Sequence, residues 1–309
     1  MDTITIIDTS LSTDNVGDEI IMDAVNEVLA SLFPNAFFFR IPSHEYLSDR
    51  SHRYMKMSSL TFIGGTNILA SSVWRMRWRD AVRMPGAICL GVGWGEYHYR
   101  PHFERRMLLR RVLSPTALHS VRDCYTGNKL AGAGRRNVST ACPTMWNLTP
   151  DHCKDIPRRK ATDVVFALSA RHPEPAADLA MIELLQANYR NLYFFSQMRN
   201  DYSYLKSFNV GKVKQILPTL CAYNRILQNE DVDFIGSRLH GGIRALQNKR
   251  RSMIVGIDSR SIEIAKDTGL PVLPRARIGE LESWILSDYK TRIELPDAKI
   301  AEWKAQFGS

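Results

Sequence analysis

Short apolar runs alternate with amphipathic stretches along the whole chain, and this alternation restricts the fold more than any other feature. Residues 4–7 read as a strand, and residues 17–33 follow with Ile20, Ile21, Ala24, Val25, Val28, Leu29 and Leu32 at helical spacing. Residues 37–41, 60–63, 87–92, 117–121 and 138–141 repeat the strand pattern, with helices expected near 75–82, 103–112 and 124–131. The second half keeps the rhythm. Strands are expected at 164–168, 192–195, 232–235 and 253–257, and helices at 176–189, 202–208, 220–228, 241–247 and 261–268, with two more near 278–287 and 297–307. The second-half strand runs are short, apolar and rich in Val, Ile or Phe, which suits strands covered on both faces. Alternating strands and helices imply parallel sheets with right-handed crossovers. The expected class is α/β, as two doubly wound Rossmann-like domains facing a central cleft.

The length of 309 residues suits two domains of about 150 each. Residues 150–160 are polar and punctuated by Pro150 and Pro157, as a linker should be. The expected division is residues 1–155 and 156–309, with the terminal helices free to pack back on the first domain. In open α/β sheets ligands bind beyond the carboxyl ends of the strands. The turns that follow strands are therefore where functional residues are sought.

Hydrophobic residues make up 44% and charged ones 24%, ordinary for a globular protein. The formal net charge of +9 favours anionic partners: phosphorylated substrates, nucleic acid or an acidic membrane surface. Cys89, Cys124, Cys142, Cys153 and Cys221 are dispersed and form no Cys-x-x-Cys pair or Cys/His cluster. That argues against a disulfide framework and a structural zinc site, and it points to a reducing, cytoplasmic compartment. The N-terminus, Met1-Asp2-Thr3-Ile4, has no basic region followed by a long apolar one, so no secretory leader is expected. No window approaches ~18 uncharged apolar residues, so no membrane span is expected.

Several strand-to-helix turns carry residues suited to chemistry. After the first strand comes Asn15-Val16-Gly17-Asp18-Glu19, where helix amides attract an anion and Gly17 allows close approach. The carboxylates of Asp18 and Glu19 fit sugar hydroxyls or helix capping better than a phosphate. Gly64-Gly65-Thr66-Asn67 is a second turn, able to cradle a ligand or to serve strand–helix packing, and Gly91-Val92-Gly93-Trp94-Gly95 is a weaker relative. Arg122 emerges at a strand end, where its fork could grip a carboxylate or phosphate, or form a surface pair with Asp123. The strongest segment is Gly236-Ser237-Arg238-Leu239-His240-Gly241-Gly242. In extended geometry Arg238 and His240 face one side and Leu239 the core. A fixed cation then stands beside a group that titrates near neutral pH, the equipment for moving a proton on an anionic substrate. Asp258-Ser259-Arg260 ends the next strand, either near the same cleft or as a local charge pair.

In order and spacing these segments resemble the polysaccharide pyruvyl transferase family. The matching elements are the Asn-x-Gly-Asp turn at Asn15–Asp18, the strand end at Gly64-Gly65, Ser-x-Arg-Asp at Ser120–Asp123, Arg-Leu-His-Gly at Arg238–Gly241, and Asp258 with Arg260. The sequence departs from the pattern at Thr66 and Asn67, which interrupt the glycine run, and at Arg260, where a Lys is common. The similarity extends over about residues 5–270. It implies a glycosyltransferase-B-like fold, phosphoenolpyruvate as donor, and no metal or other cofactor. The acceptor it implies is a sugar of a cell-surface polysaccharide or its lipid-linked precursor, with a pyruvate ketal as product. It casts His240, Arg238 and Asp18 as catalytic. Asn15, Gly17, Gly64, Gly65, Arg122, Ser237, Leu239, Gly241, Asp258 and Arg260 are the expected substrate-binding residues. The acceptor side is assigned to the first domain and the donor side to the second.

Two other functions compete. A sugar-nucleotide glycosyltransferase would share the architecture and often carries Glu-x7-Glu; Glu19/Glu27 and Glu294/Glu302 match literally, one in the first helix and one in the tail. A nucleic-acid-binding protein would use the basic faces of Arg75, Arg77, Arg79, Arg83, Arg105, Arg106, Arg110 and Arg111, with Trp74 and Trp78 interleaved. No nucleic-acid module accompanies them, so nucleic acid is not an expected partner. Peripheral contact with an anionic membrane fits the same residues.

Overall fold

The computed structural model describes every residue except Thr66, 70–73, 96–102 and Ser309, and the side chains of Ser259 and Arg260 also lie outside the described set. The chain separates into two compact units. The first comprises Met1–Thr13, Ile21–Trp146 and Leu295–Ser309, and the second Asp14–Ile20 and Asn147–Glu294. The break after Trp146 comes ahead of residue 155, and the last helix, Asp297–Ala305, belongs to the first unit. The polar 150–160 stretch is more than a linker. Thr149 caps a short helix over Pro150–Lys154, Cys153 is buried in it, and the His152 Nε2 donates to the Leu246 carbonyl at 2.8 Å. Composition registered the prolines and charges but not these anchors.

The first unit is built on β1 (Thr3–Asp8), β2 (Phe37–Pro42), β3 (Leu60–Gly64), β4 (Ile88–Leu90), β5 (His119–Val121) and β6 (Asn137–Ser139). The first four pair in parallel in the order β2-β1-β3-β4, and β5 pairs with β6. A parallel bridge between Val92 and Val121 joins the two sheets, with the Arg122 N–H donating to the Val92 carbonyl at 3.0 Å. Side-chain alternation along the strands makes two cores. Ile7, Ile63 and Cys89 pack on one face, while Ile6, Phe62, Ile88 and Leu90 pack on the other.

The second unit holds β7 (Asp163–Ala167), β8 (Leu192–Phe195), β9 (Lys214–Ile216), β10 (Val232–Gly236), β11 (Ser252–Gly256) and β12 (Val272–Pro274). Their order is β12-β11-β10-β7-β8-β9, all parallel. This is the order of a dinucleotide-binding fold, and its direction reverses between β7 and β10. Val164, Phe166 and Ile235 fill one core, and Val165, Ala167 and Phe234 the opposite one. The two edge strands were invisible in the sequence, since Lys214 and Gln215 are exposed and β12 is three residues long with a terminal proline.

Candidate active site

The carboxyl ends of β7 and β10 lie side by side at the reversal of strand order, where a doubly wound sheet opens a crevice. Gly236 pairs with Ala167, and a Cβ on Gly236 would lie 2.4 Å from the Ala167 carbonyl oxygen. Ser237 extends the pairing by donating its N–H to the same carbonyl at 2.9 Å.

The chain turns at Arg238, which precedes the helix Leu239–Gln247. Extended geometry through Leu239 and His240 is therefore not what places them. His240 stands in the first turn of the helix, and Leu239 is partly exposed rather than in the core. The helix begins at Leu239, two residues before the expected Gly241, and within it Gly241 and Gly242 are each close against a neighbour. A Cβ on Gly241 would meet the Phe234 ring at 3.2 Å, and one on Gly242 the Ile254 side chain at 2.4 Å. The Gly241 carbonyl accepts from the Tyr223 hydroxyl at 2.8 Å, and Tyr223 stacks on Phe195 at 3.9 Å.

Arg238 is held from two sides. Its Nε donates to the Leu168 carbonyl at 3.1 Å, and its Nη2 donates to Asp201. Asp201 is fully buried and also accepts the N–H groups of Ala170 (3.1 Å) and Met198 (2.9 Å). Two of the five guanidinium donors are thus committed to orientation, and Nη1 has no partner among the described residues. A guanidinium fixed in this way presents its remaining donors to an anion with little further ordering.

The early Asn15–Asp18 turn joins this same unit. Asn15 forms an antiparallel bridge with Met198, and the Val16 N–H donates to the Gln197 carbonyl at 2.9 Å. The Asn15 Oδ1 accepts the Gly17 N–H at 3.0 Å, and the Asn15 carbonyl accepts the Asp18 N–H at 2.9 Å. The amides that begin the helix Val16–Leu32 are therefore engaged by protein groups. Asp18 is buried, and Glu19 is exposed. The second unit thus holds Asn15, Gly17, Asp18, Ser237, Arg238, Leu239, His240 and Gly241, and the segment from Gln197 to Asp201 meets the Asn15 turn, Arg238 and Gly241.

Asp258 also lies in this unit but works as a cap. Its Oδ1 accepts the Ser261 N–H at 3.1 Å at the start of the helix Ser259–Thr268. The Arg260 side chain is outside the described residues.

Gly64, Gly65 and Arg122 belong to the first unit. A Cβ on Gly65 would sit 2.7 Å from the Gly91 carbonyl, so close packing accounts for that glycine. A Cβ on Gly64 would meet the flexible Met22 side chain at 2.5 Å and Val25 at 3.5 Å, and Thr66 lies outside the described residues. Arg122 and Asp123 are not a surface pair. Both are buried, with Nε and Nη2 each 3.4 Å from the Asp123 carboxylate, whose other oxygen caps the helix Cys124–Ala131. The Arg122 guanidinium lies over Gly93, where a Cβ would come within 2.5 Å of Nη2. Strand pairing drew the Arg122 backbone inward, and Gly93 leaves room for its side chain.

Asp201 and Gln197 escaped the sequence reading because the helix there begins at Arg199, before the expected residue 202. The available signal was Asp201 standing three residues after Met198, the spacing at which a carboxylate reaches back to a helix start.

The model of the family described as polysaccharide pyruvyl transferase matches residues 15–259, from the Asn15 turn to the start of the helix after Asp258. This chain belongs to the polysaccharide pyruvyl transferase family. As a member it is a transferase, of a family that serves polysaccharide biosynthesis. No curated protein matches the sequence. Among solved structures, the chain is similar to the UDP-GlcNAc 2-epimerase of Methanocaldococcus jannaschii in complex with UDP-GlcNAc and UDP. That likeness has a TM-score of 0.56 and 12% identity, and it covers 96% of this chain and 95% of the other. The S. aureus MnaA–UDP structure gives a TM-score of 0.55 at 8% identity, over 95% and 93%. These likenesses show the fold, a pair of Rossmann-like units of the glycosyltransferase-B type. Among the described residues no helix is long and apolar enough to cross a membrane, and no group of three or more His, Cys, Asp or Glu is placed to hold a metal ion.

Proposed function

We propose that this pyruvyl transferase takes phosphoenolpyruvate as donor and a sugar of a glycan as acceptor, and joins them as a cyclic pyruvate ketal. The observation that carries the reading is the clamped Arg238 guanidinium at the carboxyl ends of β7 and β10, two residues before His240. Phosphoenolpyruvate bears a carboxylate and a phosphate, and a preoriented guanidinium is the residue type that holds either one bidentately.

In this mechanism the methylene carbon of the enolpyruvyl group accepts a proton from His240, and positive charge develops at the adjacent carbon. A first sugar hydroxyl, oriented by Asp18, adds there, and its proton passes to the His240 imidazole, which restores the proton given to the methylene carbon. The second hydroxyl then forms the other C–O bond as the C–O bond to phosphate breaks, and its proton leaves with the phosphate. One phosphate is released per ketal, and no redox change occurs. General acid–base assistance of this kind is worth about 100- to 10,000-fold in rate. A lipid-linked acceptor and docking at an anionic membrane face are compatible extensions, consistent with the chain's basic charge.

Incubation with phosphoenolpyruvate and a panel of pyranosides tests the reading. The expected result is phosphate release in step with a new ketal methyl signal. Turnover of a sugar nucleotide, with phosphoenolpyruvate left intact, would instead support the glycosyltransferase alternative.

A further inference from the structure

Gln197 is used by no step above, yet its side chain touches both motifs. It is 2% exposed, in the loop that follows β8. A Cβ on Gly17 would lie 3.3 Å from its Nε2, and a Cβ on Gly241 would lie 3.5 Å from its Oε1. The carboxamide is therefore wedged between the turn that carries Asp18 and the helix start that carries His240. Its backbone belongs to the same clamp, since the Gln197 carbonyl accepts the Val16 N–H, and Met198 next to it donates to Asp201.

The buried Nε2 has no hydrogen-bond partner among the described residues. An unsatisfied buried amide costs about 1–3 kcal/mol, so fold stability is a poor reason for a glutamine here. A methionine of similar length and volume would fill the space without that cost. Glycine at position 17 is what lets the carboxamide fit on that side, since a Cβ there would crowd it at 3.3 Å, whereas one at position 241 would meet it at ordinary contact distance.

We propose that Gln197 is a positioning residue for the transfer reaction, whose carboxamide sets the placement of Asp18 relative to His240. This rests on the acid–base roles proposed above for those two residues. Its effect passes through the two glycines, so it governs the chemical step rather than the hold of Arg238 on the donor. Misplacement of a catalytic group by about 1 Å can cost on the order of 100-fold in rate.

The test compares the wild-type enzyme with Gln197→Met, measuring the thermal midpoint and the steady-state constants for phosphoenolpyruvate. The expected result is a midpoint equal to or above wild type, kcat lower by about 10- to 100-fold, and KM for phosphoenolpyruvate within about threefold. Gly17→Ala, whose Cβ would crowd the same carboxamide at 3.3 Å, should lower kcat in the same direction. Gln197→Met with kcat within about twofold of wild type overturns the positioning role. So does a loss of kcat that only tracks a fall in the midpoint, because a structural residue would behave that way. Failure of the wild-type enzyme to release phosphate from phosphoenolpyruvate is a different result, and it removes the donor reading together with this one.

Discussion

Asp201 and Arg238 meet across 37 residues of chain, a fully buried carboxylate holding a guanidinium that emerges at the sheet's reversal of order. Neither residue is intelligible alone. The carboxylate would be costly to bury without a cation, and the cation would be loosely ordered without the carboxylate.

Arg238→Lys keeps the charge but loses the fork, because one ammonium cannot reach Leu168 and Asp201 and still present a directed pair of donors. The Michaelis constant for phosphoenolpyruvate should rise about tenfold or more. Asp201→Ala should be worse for the fold. It strands Arg238 and frees the Met198 and Ala170 N–H groups, for an expected cost of about 3–5 kcal/mol in urea unfolding. An unchanged donor constant in the lysine variant would remove Arg238 from the donor site.

His240→Ala removes the proposed proton carrier from a half-buried position in the first helical turn. Turnover should fall by about 100- to 10,000-fold, while the circular dichroism spectrum and thermal midpoint stay close to wild type. Retention of near wild-type kcat would assign the proton transfer elsewhere.

Arg251 is fully buried at the amino end of β11, on the side of the sheet away from Arg238. It donates to Asp233 (3.2 Å) and to the carbonyls of Ile285 (3.2 Å) and Ser287 (3.3 Å), and it stacks on Trp284 at 3.8 Å. Asp233 also accepts from the Tyr189 hydroxyl at 2.7 Å, and burial raises its pKa above the usual carboxylate range. Arg251→Ala should destabilise by about 3–5 kcal/mol because it leaves Asp233 unpaired. A double Arg251→Met, Asp233→Leu variant should recover part of that, with donor KM unchanged in the folded enzyme.

His119 gives stability a pH dependence. Its Nδ1 accepts the Cys89 N–H at 3.2 Å and its Nε2 donates to the Ser114 carbonyl at 2.9 Å, the pattern of a neutral ring. Burial lowers its pKa to about 4, with the nearby Arg135 charge acting in the same direction. Between about pH 4 and about pH 6.5 the unfolded chain therefore binds more protons than the folded one. Its contribution is full above about pH 6.5 and is lost as pH falls toward 4, amounting to about 3 kcal/mol. His119→Gln should flatten the decline of the thermal midpoint across that window. An equally steep decline in the variant would assign the acid sensitivity to other groups.

The sequence by itself determined the α/β class, the parallel sheets and the positions of most strands, because these follow from local periodicity that each segment carries. Arg238-Leu239-His240-Gly241 was legible for the same reason, being one contiguous run after an apolar strand. The tertiary structure decided what those residues touch. It made Leu239 half-exposed by starting the helix early, turned Asp258 into a cap, and buried Arg122 against Gly93. It also brought Gln197, from a loop, and Asp201, from the first turn of the next helix, between the Asn15 turn and Arg238. Those partners are distant in sequence and are joined by strand order, which sets neighbours through non-local pairing that no local pattern encodes.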